Sequence, residues 1–278
     1  MNEIIDRAEV ARILGDPRYL VPEADAAAAT SFDGFRARVS RFVNGAVHDE
    51  RRARLEELLG TLDPRVLAGD ATARTRRLLE ANNVTVAAIA GHVPAATLAH
   101  ELGFREPDDA PAFIARIAGR YPTGRQAEGR DAAADDSAIE RLRAASGAQG
   151  GEADLRVQLL VQAHAATGAL VIGALRRLAA TRDPGTTTHD LLHQTLRDDA
   201  PVPVTRRIAP DGAAIMLRLD GPDREASEAH EPRVLAFGDG PRRCPAPHHA
   251  LAIAGAIVDE LRRSTHPEAR GVARADRI

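Results

Sequence analysis

A single cysteine, Cys244, closes the segment Phe237-Gly238-Asp239-Gly240-Pro241-Arg242-Arg243-Cys244, and an apolar helical pattern begins directly after it. Gly238 and Gly240 carry no side chain and tolerate positive φ, so the backbone of this turn can pass close to a flat ligand. From Pro245 onward the spacing predicts a helix, with proline in its first turn and Leu251, Ala254, Val258 and Leu261 recurring along one face. A thiol at that start meets the positive end of the helix dipole and the charges of Arg242 and Arg243, which favour the thiolate. The chemistry expected of Cys244 is ligation of a soft metal.

Other constellations are weaker. His189 and His193 stand four apart on one helix face, and Cys244 and His248 share that spacing, which raises zinc. No third or fourth ligand completes either motif and the glutamate of a metalloprotease helix is absent, so zinc is set aside. Gly238-x-Gly240 has Arg243 where a dinucleotide fingerprint needs its third glycine. No Gly-x-Ser-x-Gly elbow or phosphate loop is visible. All 37 basic residues are arginine, which excludes lysine Schiff-base chemistry.

The elements that must position the cysteine loop are mostly helices. Strand signals are short, with Pro203–Ile208 and Ala213–Leu219 the best candidates. The apolar run Leu155 to Leu178 is interrupted by Arg156, Gln158, Gln162 and His164, which argues for a buried helix and against a membrane span. The polar, alanine-rich stretch from Thr123 to Gly151 reads as a surface connection, so residues 1–278 are taken as a single domain with ample core for a cofactor pocket. A net charge of −3 gives no reason to expect nucleic acid. One cysteine cannot form an intramolecular disulfide and no charged-then-apolar leader is seen, so the expected location is the cytoplasm.

The cysteine segment resembles the heme-binding loop of the cytochrome P-450 family, whose pattern is Phe-Gly-x-Gly-x-His/Arg-x-Cys-x-Gly-x-x-x-Ala. Phe237, Gly238, Gly240, Arg242, Cys244 and Ala250 fit it, while Ala246 stands where the family has glycine. The resemblance runs from about Glu9 to Arg263. Glu9 to Tyr19 resembles the early helix ending in Asp-Pro-Arg, and Asn44 to Leu55 the helix whose His-x-x-x-Arg pair contacts heme propionates. His48 and Arg52 hold those positions; four apart, they share one face and can both reach an anion, although Asp49, Glu50, Arg51 and Arg54 also suit a solvated face. Leu159 to Leu178 resembles the long helix crossing the distal side of heme, with Ala163-His164-Ala165-Ala166-Thr167 in place of Ala-Gly-x-Asp/Glu-Thr. Gln194-Thr195-Leu196-Arg197 occupies the place of Glu-x-x-Arg, where glutamine implies a neutral hydrogen bond to Arg197 in place of an ion pair. Arg206 or Arg207 matches the strand arginine that meets a propionate.

What the resemblance implies is a mostly α fold with small β elements, a shortened cytochrome P-450-like fold holding heme b with Cys244 as axial ligand to its iron. Phe237, Gly238, Arg242, His48, Arg52 and Arg206 or Arg207 are then cofactor-binding. The implied function is that of a bacterial heme-thiolate oxidoreductase of specialised metabolism, a monooxygenase or peroxygenase-like enzyme for a small organic or tethered substrate. A ferredoxin-type electron donor or a partner protein that completes an open pocket is the implied partner. Pro245 has no N–H to give the sulfur, which implies an electron-rich thiolate. Ala166 removes the carboxylate that delivers protons beside Thr167, so a peroxide-driven or non-oxygenating reaction stands beside ordinary oxygen activation, with His164 as acid-base group or second iron ligand. Two other readings stay open: a non-catalytic helper that activates a partner such as a glycosyltransferase, and a heme sensor ligated by Cys244 and His164.

Overall fold

The computed structural model describes residues 2–264 apart from 26, 28, 29, 82, 83, 124–129, 182, 184, 228 and 229. Along the chain run β1 (Asn2–Ile4), α1 (Arg7–Gly15), α2 (Ser31–Arg38), α3 (Gly45–Gly60), α4 (Pro64–Glu80), α5 (Val86–Glu101), α6 (Ala110–Ala118) and α7 (Arg130–Ala145). They are followed by α8 (Gly150–Ala180), α9 (Thr188–Asp198), β2 (Val204–Ile208), β3 (Ala214–Arg218) and α10 (Pro247–Arg263). Local chemistry sets many of the starts. Asp6, Asp63 and Thr85 accept backbone N–H groups of Glu9, Arg65 and Ala88 at the heads of α1, α4 and α5, and α9 opens on a reciprocal capping box between Thr187 and Asp190.

The helical body forms around α5 and α8. α5 buries residues on all sides, among them Ile89, Val93, Ala95 and Ala99, as a helix apolar around its whole circumference must. Pro94 within it has no N–H to give the Ala90 carbonyl. There Gly168 of α8 crosses so closely that a Cβ would lie 2.7 Å from the Ala90 oxygen. α8 is the one described helix long and apolar enough to cross a membrane, and it packs as a core helix against α5, α6, α9 and α10. α10 is tied to the end of α3 by His249, whose Nε2 lies 3.2 and 3.1 Å from the Leu59 and Leu62 carbonyl oxygens.

A three-stranded sheet of order β1-β3-β2 stands apart from that body, β1 parallel and β2 antiparallel to β3. It shares a smaller core with α1 through Val10, Ile13, Leu14, Leu217 and Leu235. β2 and β3 fall within the two strands expected from the sequence, whereas the short edge strand β1 gives no period to read.

Three sequence expectations are corrected. The Thr123–Gly151 stretch is not simply a connection: 124–129 lie outside the described residues, and α7 follows them, burying Ala138, Ile139 and Leu142 while Asp136, Glu140 and Arg143 make side-chain hydrogen bonds. The final helix starts at Pro247, not Pro245, because 244–246 form a turn in which Ala246 gives its N–H to the cysteine sulfur. The expected Gln194–Arg197 hydrogen bond is replaced by an ion pair of Arg197 with Asp198, Nε to Oδ1 2.8 Å, since a carboxylate is the stronger acceptor. The role of tying α9 to the segment before the cysteine falls to buried Arg7, which donates to the carbonyls of Gly221 (2.6 Å), Arg233 (2.7 Å) and Arg197 (2.6 Å).

Candidate functional site

The cysteine loop is built on its glycines. Gly238 and Gly240 have φ of +69° and +63°, in the left-handed region that side chains disfavour. Gly240 also seats the loop on the end of α1: a Cβ there would lie 2.5 Å from the Leu14 oxygen and 2.8 Å from Gly15 Cα. The turn closes with the Cys244 N–H donating to the Phe237 carbonyl at 2.7 Å and the Arg243 N–H to the Gly240 carbonyl at 3.0 Å. Phe237 packs on the helical core, which fixes the loop from its other side.

Cys244 itself is half-buried. Burial pushes its thiol pKa up, against the opposing effects of the Ala246 N–H, 3.4 Å from Sγ, and of the Arg52 and Arg243 charges. The thiolate favoured on sequence grounds is therefore not the resting form: the helix begins beyond the sulfur, at Pro247, where its dipole has less reach, and desolvation wins. Pro245 withholds an N–H as expected, but the next residue supplies one.

Basic side chains from other elements converge on Arg242, two residues before this thiol. Arg242, on the loop, donates to the Val43 carbonyl (2.6 Å) and Asn44 Oδ1 (2.9 Å). Burial pulls its pKa down, the charges of Asp49 and Glu23 oppose that, and Arg41 and Arg52 add repulsion. His48 is buried on α3 with Nδ1 2.9 Å from Asp49 Oδ1, and burial holds it below the usual imidazole value. Arg52, one turn on, is bound to Glu56 at 2.6 Å. On β2 the strand period puts Arg206 outside and Arg207 inside, the latter 6% exposed. Arg207 bonds only to neutral oxygens, Thr205 Oγ1 (3.1 Å) and the Arg206 carbonyl (2.8 Å), and its pKa falls to about 10 through burial, then repulsion from Arg242 and Arg41. Arg41 is the member the sequence reading missed: it sits in an ordinary-looking Arg-Val-Ser-Arg run, and only the fold turns it toward the cluster. Among the described residues neither Arg41, Arg207 nor Arg242 has an ion-pair partner.

On α8, Thr167 is buried while Ala165 and Ala169 are exposed, so one flank of the helix is open. His164 turns toward α5. Its ring lies 3.9 Å from where a Cβ on Gly91 would stand, it is within hydrogen-bonding reach of the Gly91 backbone, and its Nδ1 is buried without a partner. Burial lowers its pKa and keeps the ring neutral. His189 and His193 stack with ring centroids 4.2 Å apart, but no cluster of three or more metal-ligating side chains occurs among the described residues.

A soft sulfur donor, a loop with two positive-φ glycines, and two arginines, Arg207 and Arg242, with no carboxylate bound to them fit a flat, dianionic, metal-bearing ligand such as heme. No carboxylate has to be displaced from Arg207 or Arg242, and Cys244 is the only thiol in the chain.

No protein-family model matches the sequence, and no curated protein matches it. Solved structures do. A thermophilic cytochrome P450 from Sulfolobus tokodaii is 14% identical, with 93% of this chain and 85% of that one covered at a TM-score of 0.73. CalO2 is 17% identical, with 96% and 82% covered at a TM-score of 0.73. P450BioI, solved in complex with an acyl carrier protein ligated by hexadec-9Z-enoic acid, is 16% identical, with 93% and 84% covered at a TM-score of 0.67. The fold is that of the bacterial cytochromes P450, and at these identities it is the fold that is established.

Proposed function

We propose that the chain is a heme-thiolate oxidoreductase acting on a small organic or carrier-tethered substrate, with residues 1–278 working as one heme-binding domain. The observation that carries this is the pair of buried Arg207 and half-buried Arg242, neither bound to a carboxylate, with Arg242 two residues before the one thiol of the chain, on a cytochrome P450 fold. Cys244 would hold the iron of heme b, Phe237 and Gly238 would lie against the ring, and His48, Arg52, Arg207 and Arg242 would take the propionates. Arg206, exposed on the far face of its strand, is left out of that set. When bound, the heme would supply redox chemistry at iron, tuned by the thiolate and its Ala246 hydrogen bond.

The chain's own residues do the rest. The loop half-buries the sulfur, which favours the protonated thiol; a bound metal would take that proton's place, and the arginines would orient the anionic edge of the ligand. Thr167 is the hydroxyl on α8 available to hold or pass a proton, and Ala166 leaves it without a carboxylate neighbour. That favours a peroxide-driven or non-oxygenating reaction over one that needs protons relayed from solvent. His164, neutral and carrying an unpartnered Nδ1, is the second candidate proton acceptor; its engagement at Gly91 gives no support to iron ligation. The open flank of α8 suits a substrate delivered by a carrier protein, as P450BioI is bound to one, or a partner protein that covers it. A cytoplasmic setting with a ferredoxin-type donor accompanies this reading.

The test is the absorption spectrum of protein made with a heme supply, in ferric and carbon-monoxide-bound ferrous forms, beside Cys244→Ala. A red-shifted thiolate Soret band in the parent alone is the expected result. Failure of both proteins to retain heme would favour the helper reading, in which the open flank is a docking face and Cys244→Ala leaves activation of the partner intact.

A further inference from the structure

Arg41 and its surroundings carry a statement about the substrate. The 3₁₀ turn Ser40–Phe42 puts the Arg41 guanidinium 5.8 Å from the Phe42 ring centre, and Arg36 covers the same ring at 4.3 Å. Phe42 packs edge-on against Tyr121 with centroids 5.0 Å apart, and the Tyr121 hydroxyl accepts from Gln162 Nε2 at 3.3 Å. Gln162 immediately precedes the Ala163–Thr167 segment of α8, on the open side of that helix with Ala165 and Ala169. The Arg41 charge acts on the Tyr121 phenol, so one corner gathers an exposed guanidinium, a buried hydroxyl and a part-buried carboxamide beside an alanine-lined flank. Arg36 is committed elsewhere: its Nε donates to the Tyr121 carbonyl at 3.0 Å and Asp33 lies near it. Arg41 has no ion-pair partner among the described residues and is exposed.

The proposed propionate set already supplies Arg52, Arg207, Arg242 and His48 for two carboxylates, so Arg41 is a cation in excess. Tyr121, buried, has its pKa pushed up to about 12 and stays a neutral phenol able to donate. A bare guanidinium beside a donor hydroxyl is a receptor for a planar anion. We infer that the substrate carries a carboxylate, held by Arg41 with the Tyr121 hydroxyl and Gln162 while its apolar part lies along the alanine flank of α8. This inference rests on the heme-thiolate reading for what happens to the substrate, but not for its binding.

Calorimetric titration of the purified protein with decanoate and with its neutral isostere decanamide tests it, with the heme content of each sample read from its spectrum. The carboxylate should bind about tenfold more tightly than the amide. Arg41→Gln should erase that preference, Arg41→Lys should keep part of it, and heme content should be the same in all of them. Equal binding of the two probes by the parent, or a preference untouched in Arg41→Gln, overturns the inference. Loss of heme in Arg41→Gln with the preference intact would make Arg41 a propionate partner and also overturn it. A carboxylate preference in protein that never takes up heme would uphold the receptor and sink the heme reading.

Discussion

Arginine is handled in two ways in this molecule. Away from Cys244 it is matched: buried Asp154 accepts from Arg38 and Arg143, each at 2.7 Å, Arg74 bridges Asp70 and Asp108, and Arg233 is held by Asp223 and Glu225. Beside Cys244, Arg207 and Arg242 are buried or half-buried against neutral oxygens and one another, and Arg41 faces them without a carboxylate. The matched arginines stabilise the chain as it stands. Of the unmatched ones, buried Arg207 and half-buried Arg242 oppose folding, because a desolvated cation without a counterion is unfavourable. Unmet charge and cavity shape single out different places: cavities of about 430 and 120 Å³ lie by α7, lined by Arg120 and Asp135, and neither is lined by Cys244.

The comparison is easiest to break at its matched end. Asp154→Ala strips the shared acceptor from two guanidiniums that meet between α2, α7 and α8, and should cost about 3 kcal/mol. Urea unfolding of the heme-free protein reads this directly. A loss below ~1 kcal/mol would mean that the matched arginines find water as good a partner, and the contrast with the cysteine face would collapse.

Arg7 sharpens it from a different side, being buried without a carboxylate yet satisfied by three carbonyls. Arg7→Met should destabilise by roughly 2–4 kcal/mol, since acceptors on Gly221, Arg197 and Arg233 lose their donor together. The loss should appear equally with and without heme, which separates a structural arginine from a receiving one.

Arg207→Met should go the other way. A guanidinium pushed to about 10 by burial is charged in both states below that pH, and its cost to folding is then on the order of 3 kcal/mol. Removing it should stabilise the heme-free protein by up to that amount while weakening heme retention. The gain should be flat from pH 7 to 9, because the cost is relieved only as pH climbs from the folded value toward 12.5. Arg206→Met, on the exposed face of the same strand, should do neither. If both variants behave alike, the inside-outside assignment on β2 is wrong.

These pairs also show what the sequence could and could not reveal. The cysteine loop was readable because glycine and proline act locally, and both glycines take the positive φ that their lack of a Cβ allows. Even there, proline suits a first helical turn at 245 as well as at 247, and only the Ala246 N–H to sulfur decides between them. β2 was legible as a strand, but alternation alone says that Arg206 and Arg207 face opposite ways, not which way is in; that needs β3 and the loop it covers. Arg41 carried no signal, because its meaning depends on residues far away in sequence. α7 was hidden by composition, its alanines and aspartates resembling a linker while its burial rests on Ala138, Ile139 and Leu142. The cytochrome P450 fold itself was legible through the order of its motifs, each of them degenerate, and the structure carries it where overall identity is 14–19%.

The smallest effect tests the thiol that the arginines surround. A helix dipole acting on Cys244 would give a thiolate at neutral pH, whereas the burial seen here pushes the thiol up from its ordinary value of 9.0. In heme-free protein, alkylation of Cys244 by iodoacetamide, followed by mass spectrometry, should be slow at pH 7.5 and still rising past pH 9. Arg52→Gln should slow it slightly further, since Arg52 is among the charges that favour the thiolate. A rate that plateaus below pH 8 would restore the activated thiolate and would mean that the cation cluster outweighs desolvation at the sulfur. The direction also matters for linkage: a raised thiol pKa lets the folded chain hold its proton longer than the unfolded chain, so stability should fall as pH rises above 9. Metal ligation at the sulfur would remove that pH dependence by taking the proton's place.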